Sequence, residues 1–305
     1  MQDRPAPNSP WLEQRERGNR GAMRLMKWLA LGCGRGAARL LLYPICAYFL
    51  LFSPRARRAS RDYLAGALGR APRIADLWRH YFSFAATVLD RVYLLAGQFE
   101  RFDIEMRGLD ALDAALAQGK GCLLLGAHLG SFELLRAIGL LQKKRPINVV
   151  MYEDNAANIS GVLDELNPEV RPRVIVSGEL DTALRIGECL ARGEMVGMLG
   201  DRSAASGRSV TCPFFGRDAA FPAGPLQLAL GLRVPVLLFF GLYRGGNRYL
   251  IHFEVFSAEC PEARAAREAR VRDAVTRYAA RLEHFCRLAP YNWFNFYDFW
   301  EGPDA

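Results

Sequence analysis

The chain has little of what builds a metal centre or a disulfide scaffold. Histidine occurs only four times in 305 residues, and His80, His252 and His284 stand isolated among apolar or helical residues. The seven cysteines, at positions 33, 46, 122, 189, 212, 260 and 286, are odd in number and include no CxxC pair. Several lie in apolar runs, so reduced, buried thiols in a cytosol-facing protein are expected, and neither a disulfide framework nor a zinc site is indicated. Internal repeats and low-complexity tracts are absent. A clean membrane span is missing as well: the apolar run LLLYPICAYFLLF at 40–52 has 13 residues, where about 20 are usually needed. No small-residue cleavage site follows it, which argues against a secretory signal.

Acidic residues are scarce at the start of the chain. Residues 1–73 hold fourteen Lys/Arg and four Asp/Glu, whereas the remainder is close to balanced, so the whole net charge of +8 originates in the N-terminal segment. A one-sign excess confined to one segment attracts anionic lipid or nucleic acid, and its neighbours decide which. These neighbours are apolar. Trp28 to Phe52 is a hydrophobic stretch interrupted by Arg35, Arg39 and Pro44, then followed by Arg55, Arg57, Arg58 and Arg61. It reads either as an interfacial or re-entrant helix pair or as a tilted transmembrane helix, with Arg35 and Arg39 snorkelling to headgroups and the Arg cluster on the cytoplasmic side. No zinc spacing, helix-turn-helix or basic-aromatic RNA motif accompanies the charge, so nucleic acid is not an expected partner. The polar, proline-bearing residues 1–20 are expected to be a disordered tail, 21–75 a membrane-associated helical segment, and 76–305 an α/β domain.

Periodicity supports that class. Residues 76–97 read as a helix with Leu77, Tyr81, Phe84, Val88, Arg91 and Leu95 on one mostly apolar face. Strand-like runs follow at 101–107, 121–127, 147–152, 172–176, 195–199, 234–242 and 249–256, mostly separated by helical segments. Such alternation predicts an α/β fold with a mainly parallel, mixed sheet flanked by helices. The last two runs, joined by Gly245, Gly246 and Asn247, read as an antiparallel hairpin. Residues 261–288 form a packing helix. The segment YNWFNFYDFW at 291–300, with seven aromatics in ten residues, reads as an acyl-pocket lining, an interfacial belt or core packing.

One short string carries chemistry. After the apolar run GCLLLGA comes His128-Leu129-Gly130-Ser131-Phe132-Glu133. On one continuous helix His128 and Glu133 would lie about 140° apart, so a helix must begin between them. With a strand over 121–127 and a helix starting near Gly130, Glu133 falls in the first turn and His128 in the preceding loop, which can fold the ring onto the carboxylate. Glu133 then stays ionised beside the helix N-terminus and holds one imidazole nitrogen, leaving the other as a base. That is a dyad suited to a substrate hydroxyl as nucleophile. Ser131 leaves a covalent alternative open, and a capping Glu beside a hydrogen-bonded core His is the non-catalytic alternative.

HLGSFE resembles the H-x4-(D/E) motif of the lysophospholipid acyltransferase superfamily. Its setting is similar to the branch containing the lipid A biosynthesis (lauroyl/myristoyl) acyltransferases. The likeness extends through the blocks MLGDRSAASGRSVTCPFFGRDAAFPAGPLQLAL, VPVLLFF and WFNFYDFW, over roughly residues 20–301. It implies the α/β fold of glycerol-3-phosphate acyltransferase-like enzymes and a metal-free reaction. His128 would be the base that deprotonates an acceptor hydroxyl or amine, and Glu133 its orienting partner. The acyl thioester would come from acyl carrier protein or coenzyme A and the acceptor would be a lipid, at the cytoplasmic face of a bacterial inner membrane. By the same resemblance Asp201 and Arg202 belong to a substrate-binding block in which Arg can meet an anionic head group or carrier phosphate, a surface ion pair being the alternative. Phe215, Gly216, Arg217, Phe221, Pro222 and Gly224 would shape the acyl channel and its turns. The superfamily's FPEG-like string here carries Ala223, so a contact made by that Glu elsewhere has no counterpart. A hydrolase, or a silent lipid-binding protein of the same fold, stands as the alternative function.

Overall fold

The seven strand-like runs do pair into one sheet. In the computed structural model, which describes residues 20–117, 119–135, 146–151, 173–178, 181–202, 207–256 and 264–300, nine strands occur. They are β1 (Asp103–Arg107), β2 (Cys122–Gly126), β3 (Ile147–Met151), β4 (Arg173–Val176), β5 (Met195–Leu199), β6 (Ser209–Phe214), β7 (Arg217–Pro222), β8 (Val236–Tyr243) and β9 (Arg248–Val255). All but β6 and β7 form a mixed sheet ordered β1-β9-β8-β2-β5-β3-β4. From β8 to β4 the neighbours are parallel, β9 is antiparallel to β8, and β1 is parallel to β9. Burial explains the sequence patterns: β2 and β8 are buried at every residue and read as continuous apolar runs, whereas the edge strand β1 alternates exposed and half-buried positions. The expected β8–β9 hairpin is present, with Gly245 and Gly246 at positive φ in its loop. β1 begins two residues later than expected because Phe99–Arg101 form a 3-10 turn.

The helices are α1 (Arg20–Phe52), α2 (Pro54–Leu68), α3 (Ile74–Leu95), α4 (Leu109–Ala117), α5 (Thr182–Ala191), α6 (Gly224–Leu232) and α7 (Arg264–Leu288). Two compact units result. Residues 93–201 and 225–274 form the sheet unit, and residues up to 92, 202–224 and 275 onward form the other. The boundary expected at residue 76 falls inside α3. Residues 1–19 of the tail expected over 1–20, and residues 136–145 and 152–172 of the connections expected to be mostly helical, lie outside the described residues.

In the second unit α3 is a helix whose buried side is partly polar. Asp76, His80, Thr87 and Asp90 are all buried, and each is matched. Asp76 accepts from Arg70, the Arg73 amide and the Tyr291 hydroxyl, which hold its carboxyl well below the usual carboxylate range. Asp90 accepts two bonds from Arg35 at 2.7 and 2.8 Å. Arg39 stands over the Phe82 ring at 5.5 Å. Arg35 and Arg39 are therefore committed to α3 and do not snorkel to headgroups, because a buried carboxylate and an aromatic face lie within reach. Phe84, expected on the apolar face, is 40% exposed.

The β6–β7 hairpin was not legible in the sequence. Its strands carry Pro213 and Pro222, and its turn places Phe215 (φ 53) and Gly216 (φ 73) in the left-handed region, as a two-residue primed turn requires. Glycine or asparagine usually fills the first of those positions, and Phe215 is kept there by contacts. Its amide donates to the Glu283 carboxylate at 2.5 Å, and its ring meets Tyr63 and the Arg287 guanidinium. Gly66 makes room, since a Cβ there would stand 2.9 Å from the Phe215 side chain. The aromatic C-terminal segment resolves to core packing at its centre: Trp293 is fully buried against Tyr63, Phe214 and Phe299.

His80 sits in this cluster, with Nε2 donating to the Trp293 carbonyl, Nδ1 accepting from the Ser60 hydroxyl, and Phe296 stacked at 4.7 Å. Burial of the ring pulls its pKa down from 6.5 to about 4. The folded state thus binds this proton later than the unfolded state. Stability from the neutral ring is whole above pH 6.5 and is lost as pH falls towards 4, by roughly 3 kcal/mol. Urea unfolding at pH 7 and pH 4 should show a smaller acid-induced loss in His80→Asn than in the parent; parallel losses in both would show that His80 does not titrate in this window.

Candidate active site

Register alone brings His128 to its partner. β2 and β5 are adjacent and parallel with Gly126 opposite Leu199, so the residues two positions beyond each strand, His128 and Asp201, emerge side by side at the carboxyl ends. Neighbouring strands lie about 4.8 Å apart, a spacing that a carboxylate and an imidazole can bridge. The Gly200 amide extends the pairing by donating to the Gly126 carbonyl at 2.9 Å. His128 Nδ1 then lies 2.8 Å from Asp201 Oδ1, and the His128 amide donates to Asp201 Oδ2 at 3.0 Å. Asp201 is fully buried, whereas the His128 side chain is 28% exposed. A carboxylate only accepts, so Nδ1 carries the proton and the lone pair belongs to Nε2.

The rest of the HLGSFE loop is set by two glycines and one phenylalanine. Gly130 adopts φ +75 and forms a bridge to Gly241 of β8, while the Ser131 amide donates to the Gly241 carbonyl at 2.8 Å. A Cβ on Gly130 would lie 2.0 Å from that carbonyl oxygen, and one on Gly241 would lie 2.3 Å from the Ser131 oxygen. Only glycine permits this approach. Phe132 settles over the bare backbone of Gly126 and Gly197, where a Cβ would come within 3.3 and 3.0 Å of its ring, and meets Phe239 edge-on at 5.9 Å. Helical geometry begins at Leu134 rather than near Gly130, since Gly130 and Ser131 are tied to Gly241 of β8. Glu133 therefore stands at the helix's leading edge and accepts from the Ser131 hydroxyl at 3.3 Å.

The remaining expected site residues divide by what they touch. Asp201 is engaged by His128 rather than standing in a surface ion pair with Arg202. Arg202 donates through Nε to Asn295 at 2.8 Å and through Nη2 to the Phe294 carbonyl at 3.0 Å, tying its segment to the C-terminal strip. Phe221 is fully buried against Phe214, Tyr278 and Phe299, and Arg217 lies over the Trp300 ring at 4.6 Å. Phe215 and Gly216 form the hairpin turn, and Pro222 ends β7. Gly224 opens α6 with Pro225 next in the chain, the order a helix start favours. Ala223 is buried, and its amide donates to the Arg208 carbonyl. Two things escaped the sequence reading. The pairing of Asp201 with His128 needs a strand register, which spacing does not reveal. Gly241 had a signal, a lone glycine inside the apolar run VLLFFGLY, which marks close backbone approach.

Among the described residues no three His, Cys, Asp or Glu side chains gather into a metal-holding group, and Cys46, Cys122, Cys189, Cys212 and Cys286 are buried outside any disulfide. An imidazole held by a buried carboxylate at the carboxyl ends of parallel strands has the chemistry to accept a proton at its second nitrogen, and open α/β sheets place their sites at these strand ends. No curated protein matches the chain. The family model described as bacterial lipid A biosynthesis acyltransferase matches residues 91–301, a span that includes the loop, the Gly-Asp-Arg block, the β6–β7 hairpin and the aromatic strip. With more than two thirds of its length matched, the chain belongs to the bacterial lipid A biosynthesis acyltransferase family, whose reaction is acyl transfer to a lipid acceptor.

Proposed function

We propose that the protein transfers a fatty acyl group from an acyl thioester, carried by acyl carrier protein, to a hydroxyl or amine of a lipid or glycolipid, with His128 as general base. The observation that carries this reading is the bond between His128 Nδ1 and the buried Asp201 carboxylate, which makes Nε2 the basic nitrogen. Nε2 takes the proton of the acceptor as its oxygen or nitrogen attacks the thioester carbonyl; the carbon–sulfur bond then breaks, and the thiolate leaves with that proton. Glu133, at the leading edge of its helix, assists His128 as the imidazolium forms. Arg202 is assigned to an anionic group of the donor or acceptor, and the basic N-terminal segment to the anionic cytoplasmic face of an inner membrane.

Hydrolysis through a Ser131 nucleophile is the rival, and its geometry disfavours it. Ser131 is 1% exposed and its hydroxyl is spent on Glu133. Purified protein incubated with acyl carrier protein bearing a radiolabelled acyl chain and a bacterial membrane lipid extract should move label into lipid. Ser131→Ala should retain activity within about threefold, whereas Glu133→Gln should lose at least about tenfold. Label released only as free fatty acid, or activity abolished by Ser131→Ala in a folded protein, would overturn the general-base reading.

A further inference from the structure

Arg202 is held by one edge of its guanidinium. That planar group carries its N–H donors in a rigid fork, and the Nε–H and the nearer Nη2–H leave from a single edge. The edge is taken: Nε donates to Asn295 Oδ1 at 2.8 Å and Nη2 to the Phe294 carbonyl at 3.0 Å. Cζ also lies over the Tyr297 ring at 5.7 Å, so one face is covered. Among the described residues, the second edge, shared by Nη1 and Nη2, meets no acceptor. Asn295 is the unexpected member of this clamp. It is 1% exposed in the aromatic string at 291–300, and burying a carboxamide there is costly unless its polar atoms are matched. Because a guanidinium only donates, the carboxamide oxygen is the atom that faces Nε.

We propose that Asn295 is a positioning residue for substrate binding: with the Phe294 carbonyl it fixes the inner edge of Arg202, so that Nη1 and Nη2 together receive two oxygens of one phosphate group. The proposal rests on the acyl-transfer reading, in which Arg202 meets an anionic group of the donor or the acceptor. Arg202, Phe294, Asn295 and Tyr297 belong to one compact unit, so the clamp is complete within it. A guanidinium fork matches two phosphate oxygens at once, and each bond is strengthened by the charge. Holding the fork in advance matters because a long, rotamer-rich side chain otherwise loses its freedom when the ligand arrives. An arginine that served only to join two segments would need no such open fork; at a half-buried position its remaining donors would be spent on protein acceptors. The phosphate has two sources. Carrier protein and coenzyme A bear one on the arm that ends in the thiol, and membrane lipids bear one at the head group.

The test is binding of two pairs of probes whose members differ by one phosphate, measured by calorimetry on the full-length protein in neutral detergent. Phosphopantetheine against pantetheine represents the donor, and dioleoyl phosphatidic acid against dioleoylglycerol the acceptor. The parent should favour the phosphorylated member of one pair by at least about tenfold, the weight of a charged, two-pronged hydrogen bond. The pair that shows the preference identifies the source. Asn295→Ala should cut that preference to about threefold or less, because the fork is then free to turn. Asn295→Asp keeps an acceptor of the same size at Nε, and with it the fold. It sets a negative charge against the guanidinium, so binding of the phosphorylated probe should fall about tenfold while thermal unfolding stays cooperative. In the transfer assay both variants should raise KM for the identified substrate while kcat stays within about threefold, since the reacting groups are untouched. Equal affinity for both members of each pair in the parent, or an undiminished preference in folded variants, would overturn the proposal. A parent that prefers phosphate yet transfers no acyl group would sink the acyl-transfer reading and leave the phosphate site standing; transfer without any phosphate preference would do the reverse.

Discussion

His128→Ala lowers acyl transfer by about 10²–10⁴-fold, the range a positioned general base contributes. Asp201→Asn comes close to the same loss without removing the imidazole. An amide at position 201 can turn its NH2 towards Nδ1 and donate to it, which moves the ring proton to Nε2 and leaves no lone pair where the acceptor's proton must go. Steady-state rates at saturating acyl carrier protein, with thermal unfolding as a check that both variants fold, measure it. Asp201→Asn retaining more than about half the activity while Glu133→Gln abolishes it would return the orienting role to the carboxylate five residues downstream. The contrast is sharp because both Asp201 oxygens contact His128, one at the ring and one at the amide, so the buried carboxylate fixes loop and tautomer together.

Gly130→Ala destabilises the fold by about 3 kcal/mol and removes activity with it. Two costs combine: a left-handed residue acquires a Cβ, and that Cβ meets the Gly241 carbonyl oxygen at 2.0 Å, which is backbone and cannot swing aside. Gly241→Ala forces the same two segments apart from the other side, so the double variant should cost less than the sum of the singles. Gly216→Ala is the control, because it shares the positive φ but has open space around it, and should cost about 1 kcal/mol. Chemical denaturation of the four proteins separates strain from collision. Equal losses at 130 and 216 would show that the close approach to β8 contributes nothing.

Strand and helix positions were legible because their signals are local. The runs at 195–199 and 249–256, the GCLLLGA strand and the 261–288 helix announce themselves by burial period and composition within a dozen residues. What resisted reading depends on a distant partner. The β6–β7 hairpin hides behind Pro213, Pro222 and a Phe in a turn position that glycine normally fills, and it is held by Glu283, Arg287 and Gly66, all far away in sequence. Likewise Asp76, His80 and Asp90 look like interruptions of an amphipathic helix until Arg70, Ser60, Trp293 and Arg35 are placed against them.

By itself the sequence determined the α/β class, the hairpin at Gly245–Asn247 and, through its motif blocks, the acyltransferase family. Tertiary structure decided which carboxylate holds the imidazole and which way α1 faces. Both are matters of pairing between segments 55 to 73 residues apart, where the energy of a hydrogen bond or ion pair is set by register and burial rather than by residue type.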